Sequence, residues 1–177
     1  GHPPATPCLS EFGDAFADFI AGYAAAADLP YLADVARLEW ALNRAWHSPY
    51  PAALPAAALS AVDADELAQS SLVLQPALQL LSSSYPVEAI WRSNQPEQDG
   101  SGVDLSQPGG TLLVWRERQD AVFRAVDIKT AAFSRRVVSG ERLELAFEEP
   151  DAAESLGLLF RLGLVVDVQS PGRQSNT

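Results

Sequence analysis

Two histidines and one cysteine are the residues best suited to metal binding or nucleophilic chemistry, and their spacing assembles no site. His2 and His47 belong to no HxxxH, HExxH or CxxC arrangement, so the ligand spacing of a self-contained metal site is missing. Cys8 has no second cysteine with which to form an internal disulfide. There is also no GxSxG motif and no phosphate-binding glycine loop. The sequence therefore predicts no catalytic residue, no metal site and no cofactor in this chain.

The charge of the chain argues against a polyanion as its partner. The net charge is −11, and residues 1–100 carry three basic residues against twelve acidic ones. Nucleic-acid binding draws much of its affinity from basic side chains that neutralise phosphates. We expect the basic cluster of the second half either to pair with nearby acids on a solvated face or to meet an anionic peptide or an acidic patch of a partner. Its members are Lys129, Arg135, Arg136 and Arg142.

A helix predicted over about residues 30–47 is the element around which the first half is organised. Its apolar residues recur at steps of three and four, as in an amphipathic helix: Leu32, Val35, Leu38, Leu42 and Trp46. Trp40 lies off this stripe, so we expect the helix to have a second occupied face. The residues predicted to bind a partner there are Arg37, Trp40, Arg44 and Trp46.

Shorter elements surround this helix in the first half. A helix from about Pro7 to Ala24 carries an apolar face that we expect to be core: Phe12, Phe16, Phe19, Ile20 and Tyr23. Asp63 predicts the N-cap of a short helix ending near Gln69. The apolar runs at 71–74 and 78–82 are more strand-like than helical, and Pro86 begins another short helix.

The second half changes character after a polar, glycine-rich stretch at 96–110, which predicts a linker. Two apolar runs at 111–116 and 121–126 predict a β-hairpin. Asp127 and Asp151 are predicted N-caps of two helices, a shorter helix falls near 143–147, and Gly140 closes the first helix. A strand is predicted at 164–168 and a disordered tail at 169–177.

The order strand, strand, helix, helix, helix, strand predicts an α+β protein in two parts. The N-terminal part, residues 1–95, would be a helical docking module, and residues 111–168 would form a small winged-helix-like domain. Such a domain serves either DNA reading or the capture of an extended peptide at a strand edge. For peptide capture, the predicted residues are those of the hairpin edge and of the last helix: Leu112, Val114, Val122, Leu159 and Phe160.

Two runs of the sequence resemble a known family. PYLADVARLEWALNRAWH at 30–47 and LQPALQLLSSSYPVEAIWRSNQ at 74–95 resemble the HvfC/BufC family, whose older label is "putative DNA-binding domain". The resemblance implies a partner protein of a multinuclear non-heme iron enzyme that oxidatively modifies cysteines in ribosomally made peptides. In addition, FRLGLVVDV at 160–168 resembles the end of a PqqD-like peptide-recognition element. Members of the HvfC/BufC family usually begin with a further helical segment, so we expect this chain to be a fragment or a trimmed form.

The function predicted from these observations is that of a non-catalytic partner, which docks on the iron enzyme and presents a precursor peptide to it. The first alternative is a DNA-binding regulator of winged-helix type. The second is a purely structural interaction domain, which a covered hairpin edge would favour. No apolar run approaches the roughly 18 residues that span a membrane, and no signal peptide is visible, so we expect a cytoplasmic protein.

Overall fold

The structure, a computed structural model, describes residues 13–96 and 102–170. Its α-helices are α1 (Phe16–Gly22), α2 (Leu32–His47), α3 (Ala64–Gln69), α4 (Val87–Ser93), α5 (Ile128–Val138), α6 (Leu143–Ala146) and α7 (Ala152–Arg161). Its strands are β1 (Ser71–Leu74), β2 (Gln79–Ser83), β3 (Gly110–Glu117), β4 (Asp120–Val126) and β5 (Val165–Gln169). Single stretches of 3₁₀-helix lie at Ala24–Ala26 and Ala56–Ala61. The predicted mixture of helix and sheet is confirmed.

An antiparallel sheet in the order β2-β3-β4 forms the middle layer of the fold. Side chains of β3 alternate between two apolar clusters, because successive residues of a strand point to opposite faces. Leu112 and Val114 pack in a cluster with Leu38 of α2 and Val87 of α4. Leu113 and Trp115 pack on the opposite face, in a cluster with residues of α5 and α7. Burial on both faces explains why β3 is a continuous apolar run.

A second, two-stranded antiparallel sheet joins β1 to β5. The predicted strands at 71–74 and 164–168 are therefore both present, with the last strand running from Val165 to Gln169. This pairing decides where the last strand belongs: β5 pairs with β1 and not with the hairpin of β3 and β4.

The pairing also corrects the predicted division at 96–110. Both β1 and β2 belong to the stretch assigned to a helical docking module, yet each pairs with a strand that follows residue 109. Backbone hydrogen bonds of both sheets therefore cross the predicted boundary. The described residues 102–109 of that stretch contain no helix or strand, and 97–101 lie outside the described residues.

Local signals placed most helix ends correctly. The carboxylate of Asp63 accepts hydrogen bonds from the backbone of Asp65 and Glu66, as predicted for the cap of α3. The carboxylate of Asp127 caps α5 by accepting from Lys129 and Thr130. Gly140 has φ +79°, the left-handed conformation expected of a residue that closes a helix.

The predicted cap at Asp151 is wrong. Its side chain makes no capping hydrogen bond to α7, and its backbone has φ 58°. The carboxylate instead forms an ion pair with Lys129 of α5. The side chain that the local pattern assigned to the start of α7 thus forms a tertiary ion pair instead.

The apolar face of α1 differs from the prediction, whereas the stripe of α2 differs at Trp46, which is exposed. Leu38 is buried as predicted, and Val35 and Leu42 pack against its cluster. Phe16, Phe19 and Tyr23 are 54%, 59% and 51% exposed, so the expectation that they form core is wrong for these described residues. They stack on one another instead, with ring centroids 6.4 and 5.5 Å apart. On α2 the fully or almost fully buried residues are mostly alanines, which let the helix lie close to the sheet: Ala33, Leu38, Ala41 and Ala45. Phe12 lies outside the described residues.

No helix in the described ranges combines the length and the apolar character that crossing a membrane requires.

Candidate interaction surfaces

The first two residues predicted to bind a partner, Arg37 and Trp40, connect α2 to α1. The Arg37 guanidinium donates to Asp34, one turn earlier, at 2.6 Å and to Asp18 of α1 at 3.0 Å. The hydrogen bonds with Asp18 and Asp34 raise the pKa of Arg37 above its ordinary value. Arg37 therefore links the two helices through a largely solvent-exposed ion pair, which contributes little to stability on its own, and its charge is already shared with two carboxylates.

Trp40 has a similar structural role. Its indole Nε1 donates to Asp14 at 2.7 Å. Its ring lies against Gly13 so closely that a Cβ atom at that position would be 2.1 Å from Trp40 Cε3. This contact requires glycine at position 13. It packs the turn that precedes α1 against α2.

Arg44 and Trp46 are the members of the predicted set that remain accessible. Both lie near the end of α2 and are exposed, Trp46 by 49%. Within the described part of the chain, the Arg44 side chain makes no hydrogen bond or ion pair. The four predicted residues thus divide into two that contact α1 or the turn before it and two that are exposed among the described residues.

The residues predicted to capture a peptide do not form one surface. Leu112 and Val114 are buried beneath α2 and α4, whereas Leu159 is fully buried on the other side of the sheet. Val122 and Phe160 are half-buried against that second cluster. The expectation that Leu112 and Val114 form an open edge is corrected by the register, because β3 pairs on both sides, with β2 and with β4.

The described sheet has two outer strands, β2 and β4, and β4 is the one that belongs to the predicted hairpin. On its outer side β4 has no strand partner among the described residues. Arg124 and Ala125 on this strand are exposed, and neither was singled out from the sequence. One sequence signal could have identified β4 as an outer strand. The run TLLVW is apolar throughout, which is typical of a strand that is buried on both faces and lies inside a sheet. The second strand of the hairpin is less apolar, so it is the better candidate for the edge.

A cavity of about 380 Å³ opens on the face of the sheet that α2 and α4 cover. One row of paired residues runs through its lining across all three strands, from Leu81 to Leu112 to Ala125. Leu38 and Val87 complete the apolar wall. The row ends at Ala125, on the open edge of β4.

Charged side chains surround the apolar lining of this cavity. Asp34 is occupied from two sides, since it accepts from Arg37 and also from the Ser83 hydroxyl at 2.6 Å. Arg92 donates from Nε to Glu88 at 3.0 Å. Its guanidinium lies 5.0 Å from the centre of the Phe123 ring of β4, which favours the cation electrostatically.

The basic cluster of the second half is largely paired with acids, which was the first of the two expectations for it. Lys129 forms an ion pair with Asp151, and Arg142 pairs with Glu144. Arg136 is surrounded by three carboxylates, of which Glu149 is closest at 2.7 Å, and this contact raises the pKa of Arg136. Arg135 donates to the hydroxyl groups of Ser82 and Thr111.

Across residues 13–96 and 102–170, no group of three or more histidine, cysteine, aspartate or glutamate side chains is arranged to hold a metal ion. No protein-family model matches the sequence, and no curated protein matches it significantly.

Proposed function

We propose that this chain is a non-catalytic partner protein of the HvfC/BufC type, which docks on a multinuclear non-heme iron oxidative enzyme and presents a ribosomally made precursor peptide to it. The metals and the oxidation of cysteine belong to the partner enzyme in this proposal. The contribution of this chain is proximity, because holding one part of the peptide raises the effective concentration of the rest at the enzyme's site.

The observation that carries the proposal is the outer edge of β4, which runs beside an apolar cavity and has no described strand partner. An extended peptide can add to such an edge through backbone hydrogen bonds, while its side chains fill adjacent pockets. The elements β3, β4, α5, α6, α7 and β5 follow one another in the order predicted from the sequence, although β5 pairs with β1. In this proposal they act as a winged-helix-like, PqqD-like recognition module. We assign peptide capture to β4 of this module.

Docking on the enzyme is assigned to the last turn of α2, from which Arg44 and Trp46 project in different directions because they are two residues apart. Arg44 and Trp46 are exposed there, and tryptophan and arginine are the residue types most enriched at energetically dominant contact sites. Arg37 and Trp40 support this surface indirectly by holding α1 in place.

The first test is a pull-down from a lysate of the source organism with this chain as bait, with and without nuclease. We expect nuclease-insensitive recovery of an iron enzyme and of a small cysteine-bearing peptide. Arg44→Glu combined with Trp46→Ala should remove the enzyme but retain the peptide, whereas the matched surface change Arg161→Glu should retain both. Recovery of nucleic acid alone, lost after nuclease treatment, would contradict the proposal and support the DNA-binding alternative.

A second measurement locates the captured peptide. The recovered peptide is added to the purified chain, and amide hydrogen exchange is compared with and without it. Strand addition predicts slower exchange at 120–126, since outward-facing amides of β4 acquire partners. Unchanged exchange on β4 together with protection elsewhere would place the peptide at a different surface.

A further inference from the structure

We propose that the cavity beside Ala125 is a selectivity pocket: a peptide added along β4 places an apolar side chain in it and an acidic side chain, two residues away, beside Arg92. This inference rests on the proposed capture of a peptide at β4. It specifies the partner further, as an extended segment in which an apolar and an acidic residue are separated by one residue.

The geometry of the sheet leads from the open edge into the cavity. Leu81, Leu112 and Ala125 are direct neighbours across the strands and line the cavity together. An added strand would lie about 4.8 Å beyond β4, and one of its residues would continue this row next to Ala125. The alanine side chain is small and exposed, so the edge end of the cavity is not closed by the strand itself.

The lining favours an apolar occupant. Leu38, Val87 and Leu112 are buried apolar residues of the wall, and the volume of about 380 Å³ falls within the usual range of ligand pockets, roughly 300–1,000 Å³. Asp34, the carboxylate on the α2 side, already accepts from Arg37 and Ser83. The cavity therefore offers apolar burial without a demand for a cationic ligand.

Arg92 favours an acidic side chain at the peptide position two residues away from the apolar one. Phe123 precedes Ala125 by two residues and lies on the same face of β4, because side chains alternate along a strand. Arg92 stands over the Phe123 ring, and its only hydrogen bond within the described residues uses Nε, to Glu88. As far as the described residues show, the two terminal nitrogens can donate to a carboxylate, with which a guanidinium forms short, charge-assisted hydrogen bonds.

The test selects peptides from a phage-displayed library of random sequences on the full chain. We expect enriched peptides to contain an apolar and an acidic residue separated by one position. Arg92→Glu should change the acidic preference to a basic one. Ala125→Trp should remove the apolar preference by filling the edge end of the cavity. The matched changes Arg161→Glu and Ala153→Trp, on exposed positions of α7, should leave the selected pattern unaltered.

The best selected peptide is then synthesised, and its affinity is measured on each folded variant by calorimetry. Loss of one buried apolar side chain corresponds to binding that is about tenfold weaker or more, which is the effect expected of Ala125→Trp. Peptides that protect β4 from exchange but respond to neither Ala125→Trp nor Arg92→Glu would overturn the pocket and leave capture at β4 standing. Failure of the library to yield any peptide that protects β4 would overturn both.

Discussion

Asp127 and Asp151 each precede a helix, yet only Asp127 caps the N-terminus of its helix with its side chain. We expect Asp127→Ala to lower the free energy of unfolding by about 1 kcal/mol, the typical cost of losing an N-cap. Asp151→Gly should cost less, because glycine accepts the positive φ of this position without strain and no cap is lost. Urea unfolding of both variants measures the difference. Equal losses would show that the cap of Asp127 stabilises the protein no more than the ion pair of Asp151 does.

The same cap predicts a pH dependence. Hydrogen bonds from the Thr130 backbone and then the Thr130 hydroxyl and Lys129 backbone lower the pKa of Asp127 below its ordinary value. A carboxyl whose pKa is lower in the folded state stabilises the fold at pH values above its unfolded pKa of about 3.9. The advantage of the natural chain over Asp127→Ala should therefore be complete at neutral pH and decrease as the pH falls below about 4. An advantage independent of pH would contradict this assignment.

Gly109 and Gly110 are adjacent, but only Gly109 has no room for a side chain. A Cβ atom at Gly109 would lie 2.1 Å from the carbonyl oxygen of Ser83, whereas one at Gly110 would meet no atom within 4 Å. We expect Gly109→Ala to destabilise the protein by about 1–3 kcal/mol, as overpacking does, and Gly110→Ala to have little effect. Thermal or urea unfolding of the pair tests this close approach. Since Gly109 also lines the cavity, its replacement should alter that surface as well.

Among the helices, Trp40 and Trp46 of α2 have different environments, because only Trp40 contacts the described residues that precede α1. Trp40 of α2 contacts Asp14 and Gly13 in the turn before α1, whereas Trp46 is 49% exposed. We expect Trp40→Ala to detach α1 and to cost about 1–3 kcal/mol, less than the loss of a fully buried aromatic residue. Trp46→Ala should stay within about 0.5 kcal/mol of the natural chain.

Amide hydrogen exchange would show which helices and strands are destabilised by Trp40→Ala. Amides of α1 should lose protection in this variant while those of β3 keep theirs. If Trp46→Ala proved as destabilising as Trp40→Ala, the assignment of Trp46 to an accessible docking surface would be wrong.

At the scale of the whole molecule, the two sheets join the first half of the chain to the second. β1 pairs with β5 and β2 with β3, and residues from both halves form each apolar cluster. We therefore expect residues 103–170, expressed alone, to lack a stable fold and to recover it when residues 13–96 are supplied on a second chain. NMR amide dispersion of the fragment, alone and mixed, is the measurement. A well-dispersed spectrum of 103–170 alone would contradict the joint core.

Features that depend on a few neighbouring residues could be predicted from the amino-acid sequence. The helix cap at Asp63, the left-handed closure at Gly140 and the hairpin of β3 and β4 follow from side-chain type and spacing. The acidic charge is likewise a property of composition. These signals act over one or two turns of chain, so tertiary contacts seldom override them.

Which helices and strands contact one another depends on long-range packing and could not be predicted in this way. The pattern of β3 implied burial on two faces but could not name β2 as its second partner, since strand pairing depends on the fit of distant segments. The same limit applies to α2, where close packing on the sheet buried Ala41 and Ala45 and left Trp46 outside. It also applies to Asp151, whose ion pair with Lys129 replaced a cap. The candidate site follows this division: its residue types are local, but the open edge and the cavity arise from long-range packing.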